Sequence, residues 1–347
     1  MNLLSRNVND ALGNCLTHLP ALGGRRESRN GPVLMFPGPV TTTYLQPTER
    51  VLFSTKRNAN PVFHLMESLW MLEGRDDVKF PATFVKNMKN FSDDGHVFWG
   101  AYGHRWRRMF GYDQIAMIIR ELKLNPLSRR CVLQMWNPKF GGLGQIPDLH
   151  QAMGGGKDVP CNTAIYFDTQ DGKLNMTVSC RSNDILWGCY GANAVHMSML
   201  QEYVALSVGV PVGKYHQFSN NLHLYVNNAK VPLDELRRDV FSSNYYVNNV
   251  VGPISPLPLI RTGETMEEWD ADLSYSFSAF DSRGVDGMVC QQYTTDFFNF
   301  TIVPMLSAWL DRKNPFTSHR HAELIAAPDW RLAMRNWLQT NYAGGHA

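Results

Sequence analysis

The chain has 347 residues and a formal net charge of +2, with 44% hydrophobic and 12% aromatic residues spread along its length. That composition supports a substantial core in one large domain or two and excludes disorder over most of the chain. It offers no broad cationic surface for nucleic acid or membrane, no stretch with the length of a membrane span and no signal-peptide pattern, so a soluble cytoplasmic protein with reduced cysteines is expected.

Residues 1–28 read as a polar N-terminal arm leading to Arg29, and the Pro/Thr-rich passage after it as loops or short strands. The first strong helix signal is PVFHLMESLWMLEG: Val62, Leu65, Met66 and Leu69 share one side, Pro61 and Gly74 punctuate the ends, and Glu67 lies within this mainly apolar segment. A second helix is expected in DQIAMIIRELKLNP, where Ile115, Ile118, Ile119 and Leu122 form a stripe that Asn125-Pro126 brings to a stop. The period then changes. Leu174, Met176 and Val178 alternate with polar residues as a strand does, and Asp171-Gly172 favours a turn back from the strand TAIYF. After Asn193 the positions Val195, Met199, Leu200, Tyr203 and Val204 fit a helix against that sheet. His223 and Tyr225, two residues apart on a short strand, share a face. Residues 253–315 read as richer in loops, and PDWRLAMRNWLQ as a late helix. No linker is obvious enough to divide the chain.

Six cysteines, Cys15, Cys131, Cys161, Cys180, Cys189 and Cys290, are scattered without the paired spacing of a metal site, and no metal is expected. Taken alone, Cys161 is a packing residue or a nucleophile. A thiolate attacks electrophilic carbon when nearby positive charge or hydrogen bonding lowers its pKa, and a hairpin would return Arg181 towards it. Arginines suit phosphate, but Arg29, Arg181 and the pair Arg129-Arg130 are separated in sequence, and spacing does not show that they converge. The run MGGGKD lacks the hydroxyl pattern of a phosphate loop, and no histidine and cysteine spacing supports a zinc deaminase.

The stretch VPCNTAIYFDTQDGKLNMTVSCRSNDILWGCYGAN, residues 159–193, resembles the thymidylate synthase superfamily, which includes pyrimidine nucleotide hydroxymethylases. Ordered matches extend the resemblance over roughly residues 29–230: RNG at Arg29, FHLMESLWMLEG around Glu67, AYGHRWR at 101–107, NPLSRRCVLQMWN around the arginine pair and HLY at 223–225. The resemblance implies a single α/β domain over 1–347 built on a large mixed β-sheet covered by helices, with a divergent part from about 255 to 347. It also implies a homodimer that binds a pyrimidine nucleoside monophosphate and 5,10-methylenetetrahydrofolate.

By the same resemblance Cys161 is the nucleophile, with Glu67, Tyr102 and Asp184 in the catalytic network. Arg29, Arg181 and Ser182 bind phosphate, and Arg129 and Arg130 reach the partner's phosphate site. Asn193 contacts the base, His223 and Tyr225 hold the deoxyribose, and Asp184 and Trp70 contact folate. Cys161 would add to C6 of the pyrimidine, making C5 a nucleophile towards the folate one-carbon unit; hydride then yields a methyl group and water a hydroxymethyl group. The chain departs from the methylating pattern at Asn162, where histidine is usual, in one additional residue before Asn193, and in its ending NYAGGHA. These departures favour hydroxymethylation, and Asn193 favours dUMP. Thymidylate synthase, a dCMP or CMP hydroxymethylase and a non-catalytic nucleotide-binding protein are the alternatives.

Overall fold

The computed structural model describes residues 1–141, 145–249 and 252–342. The chain begins with strand β1 (Asn2–Ser5) and helix α1 (Val8–Leu22), then β2 (Gly24–Arg26), β3 (Val33–Met35) and β4 (Val40–Tyr44). Residues 2–22 are therefore no arm. Asn7 caps α1 by accepting from the Asn9 and Asp10 amides, and Leu12, Cys15, Leu16 and Leu19 are buried along one side.

Helices α2 (Pro61–Leu72), α3 (Lys79–Phe84), α4 (Tyr102–Arg107) and α5 (Gln114–Leu124) lead to β5 (Cys131–Gln134) and α6 (Asp148–Met153). Both helices expected here are present. Asn60 caps α2 through the Phe63 amide and Pro61 starts its first turn, while Gly74, at φ 76°, turns the chain away after it.

A hairpin of β6 (Asn162–Gln170) and β7 (Lys173–Cys180) follows, then β8 (Asn183–Asp184), α7 (Asn193–Val208), β9 (Val212–Ser219) and β10 (Leu222–Tyr225). Asp171 and Gly172, at φ 53° and 70°, form the hairpin turn, as their residue types require. Among the described residues the strands form two sheets, a mixed six-stranded one in the order β1-β4-β9-β7-β6-β5 and a smaller one in the order β2-β3-β10-β8. Helix α7 is buried almost all round and packs on β7, β9, α2 and α5. On one face of the large sheet the paired row Val132, Tyr166, Thr177, His216 and Thr43 is exposed or half-buried.

The remainder is helical: α8 (Leu233–Ser242), α9 (Tyr245–Asn248), α10 (Met266–Val289, interrupted at Gly284), α11 (Val303–Leu310), α12 (Pro315–Glu323) and α13 (Pro328–Tyr342). The loop-rich reading of 253–315 holds for 253–265, which carries no helix or strand, and is corrected from Met266 onward. Trp269, Leu273, Phe277 and Phe280 recur at helical spacing and are buried, and Thr265 and Glu268 form a capping box at the start of α10. Phe80 of α3 lies 4.7 Å from both Phe277 and Phe280, so this part shares its core with the rest. Among the described residues no helix is long and apolar enough to cross a membrane.

Candidate active site

A cleft of about 780 Å³ is lined by Arg29, Cys161, Arg181, Ser182, His223 and Tyr225, with Trp136, Lys157 and Asp158 among their neighbours. Six sequence-predicted residues thus converge from four places in the chain. The β6–β7 hairpin brings Arg181 back to Cys161, with Asn162 opposite Cys180 and a register shift between Asn162 and Ala164. The Arg181 amide donates to the Cys161 carbonyl at 2.8 Å. Its guanidinium donates to the carbonyls of Pro160 and Val159, both at 2.9 Å, and lies 3.9 Å from the Cys161 sulfur. Burial pushes the Cys161 thiol up, the Arg181 charge pulls it back, and Asp158 adds to the rise. The net shift is upward, the reverse of what an arginine alone would produce, because the thiol sits in a partly desolvated floor.

Arg29 stands in a turn closed by Ser28 and Gly31, whose amides each donate to the other's carbonyl at 3.2 and 3.1 Å. Gly31 takes φ 106°, which suits glycine. On β10, His223 and Tyr225 meet edge to face with ring centroids 5.0 Å apart, and His223 Nδ1 lies 3.0 Å from Asn221 Oδ1.

A second layer stands behind the cleft. Glu67, on α2, is buried with its Oε2 3.1 Å from His196 Nε2 on α7. Burial holds the neighbouring His64 well below the usual histidine range, and the charges of Arg57 and His196 act in the same direction. Burial also raises the Tyr102 phenol, with Cys161 next in effect, while the Asn162 amide opposes the rise. Asp184 accepts from the Trp187 amide at 2.5 Å, its buried Oδ2 makes no hydrogen bond of good geometry although the Tyr225 backbone amide acts on the carboxyl, and burial above all pushes that carboxyl up. Asn193 Nδ2 donates to Asn183 Oδ1 at 3.2 Å, and Asn183 in turn donates to Ser219 Oγ at 3.1 Å. Residues Ile185–Ala192 form a π-helical segment running into α7. Its backbone leaves the helical region at Tyr190 and Gly191, so the chain kinks just before Asn193.

Three predicted residues lie elsewhere. Trp70 is a core residue, 2% exposed, whose indole donates to Asp77 at 3.1 Å, so its assignment to folate is corrected. Arg129 and Arg130 are exposed at the start of β5, and Arg129 borders a different depression with Val132 and Tyr166. Sequence reasoning missed Asp158 and His196. Asp158 stood three positions before the nucleophile and His196 one helical turn after Asn193, but a single sequence does not show what faces either. The last five residues of the divergent ending, 343–347, lie outside the described residues.

Residues 14–249 match the family model for thymidylate synthase. The chain belongs to that family of folate-dependent enzymes. It is 46% identical to a deoxyuridylate hydroxymethyltransferase of Pseudomonas phage M6, over 99% of this chain and 95% of that protein. A deoxyuridylate hydroxymethyltransferase of Bacillus phage SP01 is 35% identical over 70% of this chain and 65% of its own length. A thymidylate synthase of Rhodopseudomonas palustris strain BisA53 is 34% identical over 41% of this chain and 45% of its own.

Proposed function

We propose that this enzyme converts dUMP to 5-hydroxymethyl-dUMP through a covalent bond between Cys161 and C6 of the base. The reading is carried by the convergence of Cys161 with Arg29, Arg181, Ser182, His223 and Tyr225 in one cleft. The likeness to phage deoxyuridylate hydroxymethyltransferases, 46% in one case across nearly the whole chain, supports it.

Arg29, Arg181 and Ser182 bind the phosphate with charge-assisted hydrogen bonds, and His223 and Tyr225 hold the deoxyribose. Asn193 has its amide nitrogen committed to Asn183, while Oδ1 has no partner among the described residues. A uracil N3–H can donate to that oxygen, whereas the N3 of neutral cytosine is itself an acceptor. Cys161 then attacks C6, and Glu67 with Tyr102 manages protons around the base.

Bound 5,10-methylenetetrahydrofolate supplies a one-carbon unit at the oxidation level of formaldehyde. The buried Asp184 Oδ2, which makes no hydrogen bond of good geometry, fits such a ligand as an acceptor for ring N–H groups. Arg129 and Arg130 lie outside the cleft of their own chain, and we assign them to the phosphate site of a second copy in a homodimer. The uncovered row of Val132 and Tyr166 beside Arg129 supports that placement.

The test is to incubate the protein separately with dUMP, dCMP and CMP plus methylenetetrahydrofolate, weigh the products by mass spectrometry and measure dihydrofolate. Hydroxymethyl-dUMP without stoichiometric dihydrofolate is the expected result. Thymidylate formed together with dihydrofolate would overturn it.

A further inference from the structure

Given the hydroxymethylase reading, on which this rests, we infer that Asp158 is a further catalytic residue: the carboxylate that takes the proton from water as the water oxygen bonds to the carbon carried at C5. Asp158 lines the same cleft as Cys161 and stands three residues before it. One amide seats it, with Gly100 N donating to Oδ2 at 2.7 Å. Gly100 makes the room, since a Cβ there would lie 2.8 Å from Asp158 Oδ1. Among the described residues Oδ1 has no hydrogen-bond partner and no arginine or lysine closes an ion pair on this carboxylate.

Asp148 is the contrast within the same wall. Its two oxygens are closed by Arg105 at 2.8 Å each, as a structural carboxylate is. The charged groups whose fields reach Asp158 are Arg105 on α4, Asp93 in the preceding loop and Glu67 on α2, and Asp158 in turn acts on Cys161 and Tyr102. Burial above all pushes its carboxyl up to about 6. At neutral pH such a group is ionised and still basic enough to accept a proton in a transition state.

The step balances. With Cys161 bonded to C6 and a methylene at C5, the water oxygen forms a bond to the methylene carbon, and the methylene π pair moves into C5–C4 to leave an enolate at O4. The water proton passes to Asp158. Collapse of the enolate restores C5=C6 and expels Cys161 as the thiolate, and Asp158 afterwards returns its proton to solvent or thiolate.

Run in reverse, the same chemistry needs no folate. Wild-type protein held with 5-hydroxymethyl-dUMP in oxygen-18 water should exchange the hydroxymethyl oxygen, by Cys161 addition, departure of water protonated by Asp158, and return of labelled water. Exchange of the C5 hydrogen of dUMP in deuterium oxide reports Cys161 addition without the water step.

For Asp158→Asn, the ratio of oxygen exchange to hydrogen exchange should fall at least about 100-fold, the size of a general-base contribution. The ratio does not depend on how much of the variant is folded. Asp158→Ser, which keeps a small polar group near Gly100, is read in the same way. A ratio within about threefold of wild type, or a parallel fall of both exchanges per nucleotide-binding site, overturns the assignment. Wild-type protein that exchanges the dUMP hydrogen but not the hydroxymethyl oxygen overturns the hydroxymethylase reading itself.

Discussion

The Cys161 thiol is raised by burial, lowered by Arg181 and raised again by Asp158. Its thiolate fraction therefore depends on two charges of opposite sign that mutation removes separately. Removing the cation should move the thiol further up, and removing the carboxylate should move it down, because like charge disfavours the thiolate. The pH dependence of Cys161 alkylation by iodoacetamide, followed on its own peptide by mass spectrometry, is expected to shift to higher pH in Arg181→Ala and to lower pH in Asp158→Asn. An unchanged midpoint in both would mean that burial alone sets the thiol. Cys161→Ala should form no covalent adduct with 5-fluoro-dUMP and methylenetetrahydrofolate. At this scale the sequence was read well where a motif gave a residue its neighbours, as with Arg181 and Cys161, which the hairpin joins. It was read poorly where a contact crosses between elements. His196 is an unremarked helix residue until α2 places Glu67 3.1 Å from it.

The wall of the cleft depends on one buried ion pair between elements. Arg105 of α4 and Asp148 at the start of α6 are 1% and 0% exposed. Arg105 also donates to the carbonyls of Met135 at 2.7 Å and Trp99 at 2.9 Å, while Asp148 accepts from the Trp99 indole and the Asn137 amide. Asp148→Ala would leave a guanidinium buried without its counter-ion, which costs about 3–5 kcal/mol. A urea titration should show that loss as a lower midpoint at unchanged slope, and a midpoint within error of wild type would contradict it. Elements defined by local period, α2, α5 and the β6–β7 hairpin, were legible before folding. Helix α10 was not, because serines between its aromatic positions resemble a loop, and its stripe gains meaning only when Phe80 of α3 is seen against it. The first helix was hidden similarly by a polar start, although Leu12, Leu16 and Leu19 already had the spacing.

For the molecule as a whole, the buried residues of the first helix, the sheet and the last helices form one hydrophobic cluster, and we propose that residues 1–347 act as one domain. The catalytic unit we propose is larger than that domain. Within one chain the cleft holds Arg29 and Arg181 but neither Arg129 nor Arg130, and the latter two stand beside a sheet face where Val132 and Tyr166 are 44% and 43% exposed. Two copies joined across that face would exchange their arginine pairs, as the two-fold symmetry of a homodimer requires. Each site would then draw its thiol from one copy and Arg130 from the other. Cys161→Ala and Arg130→Ala proteins, each inactive or nearly so alone, should regain activity once mixed under conditions that let subunits exchange. A mixed dimer contains one site with both groups intact and one with neither, so random pairing restores about a quarter of the wild-type sites. If Arg130 served its own chain instead, every site in the mixture would lack one group. Verified mixed dimers would then stay as inactive as their parents, and the shared phosphate site would be ruled out.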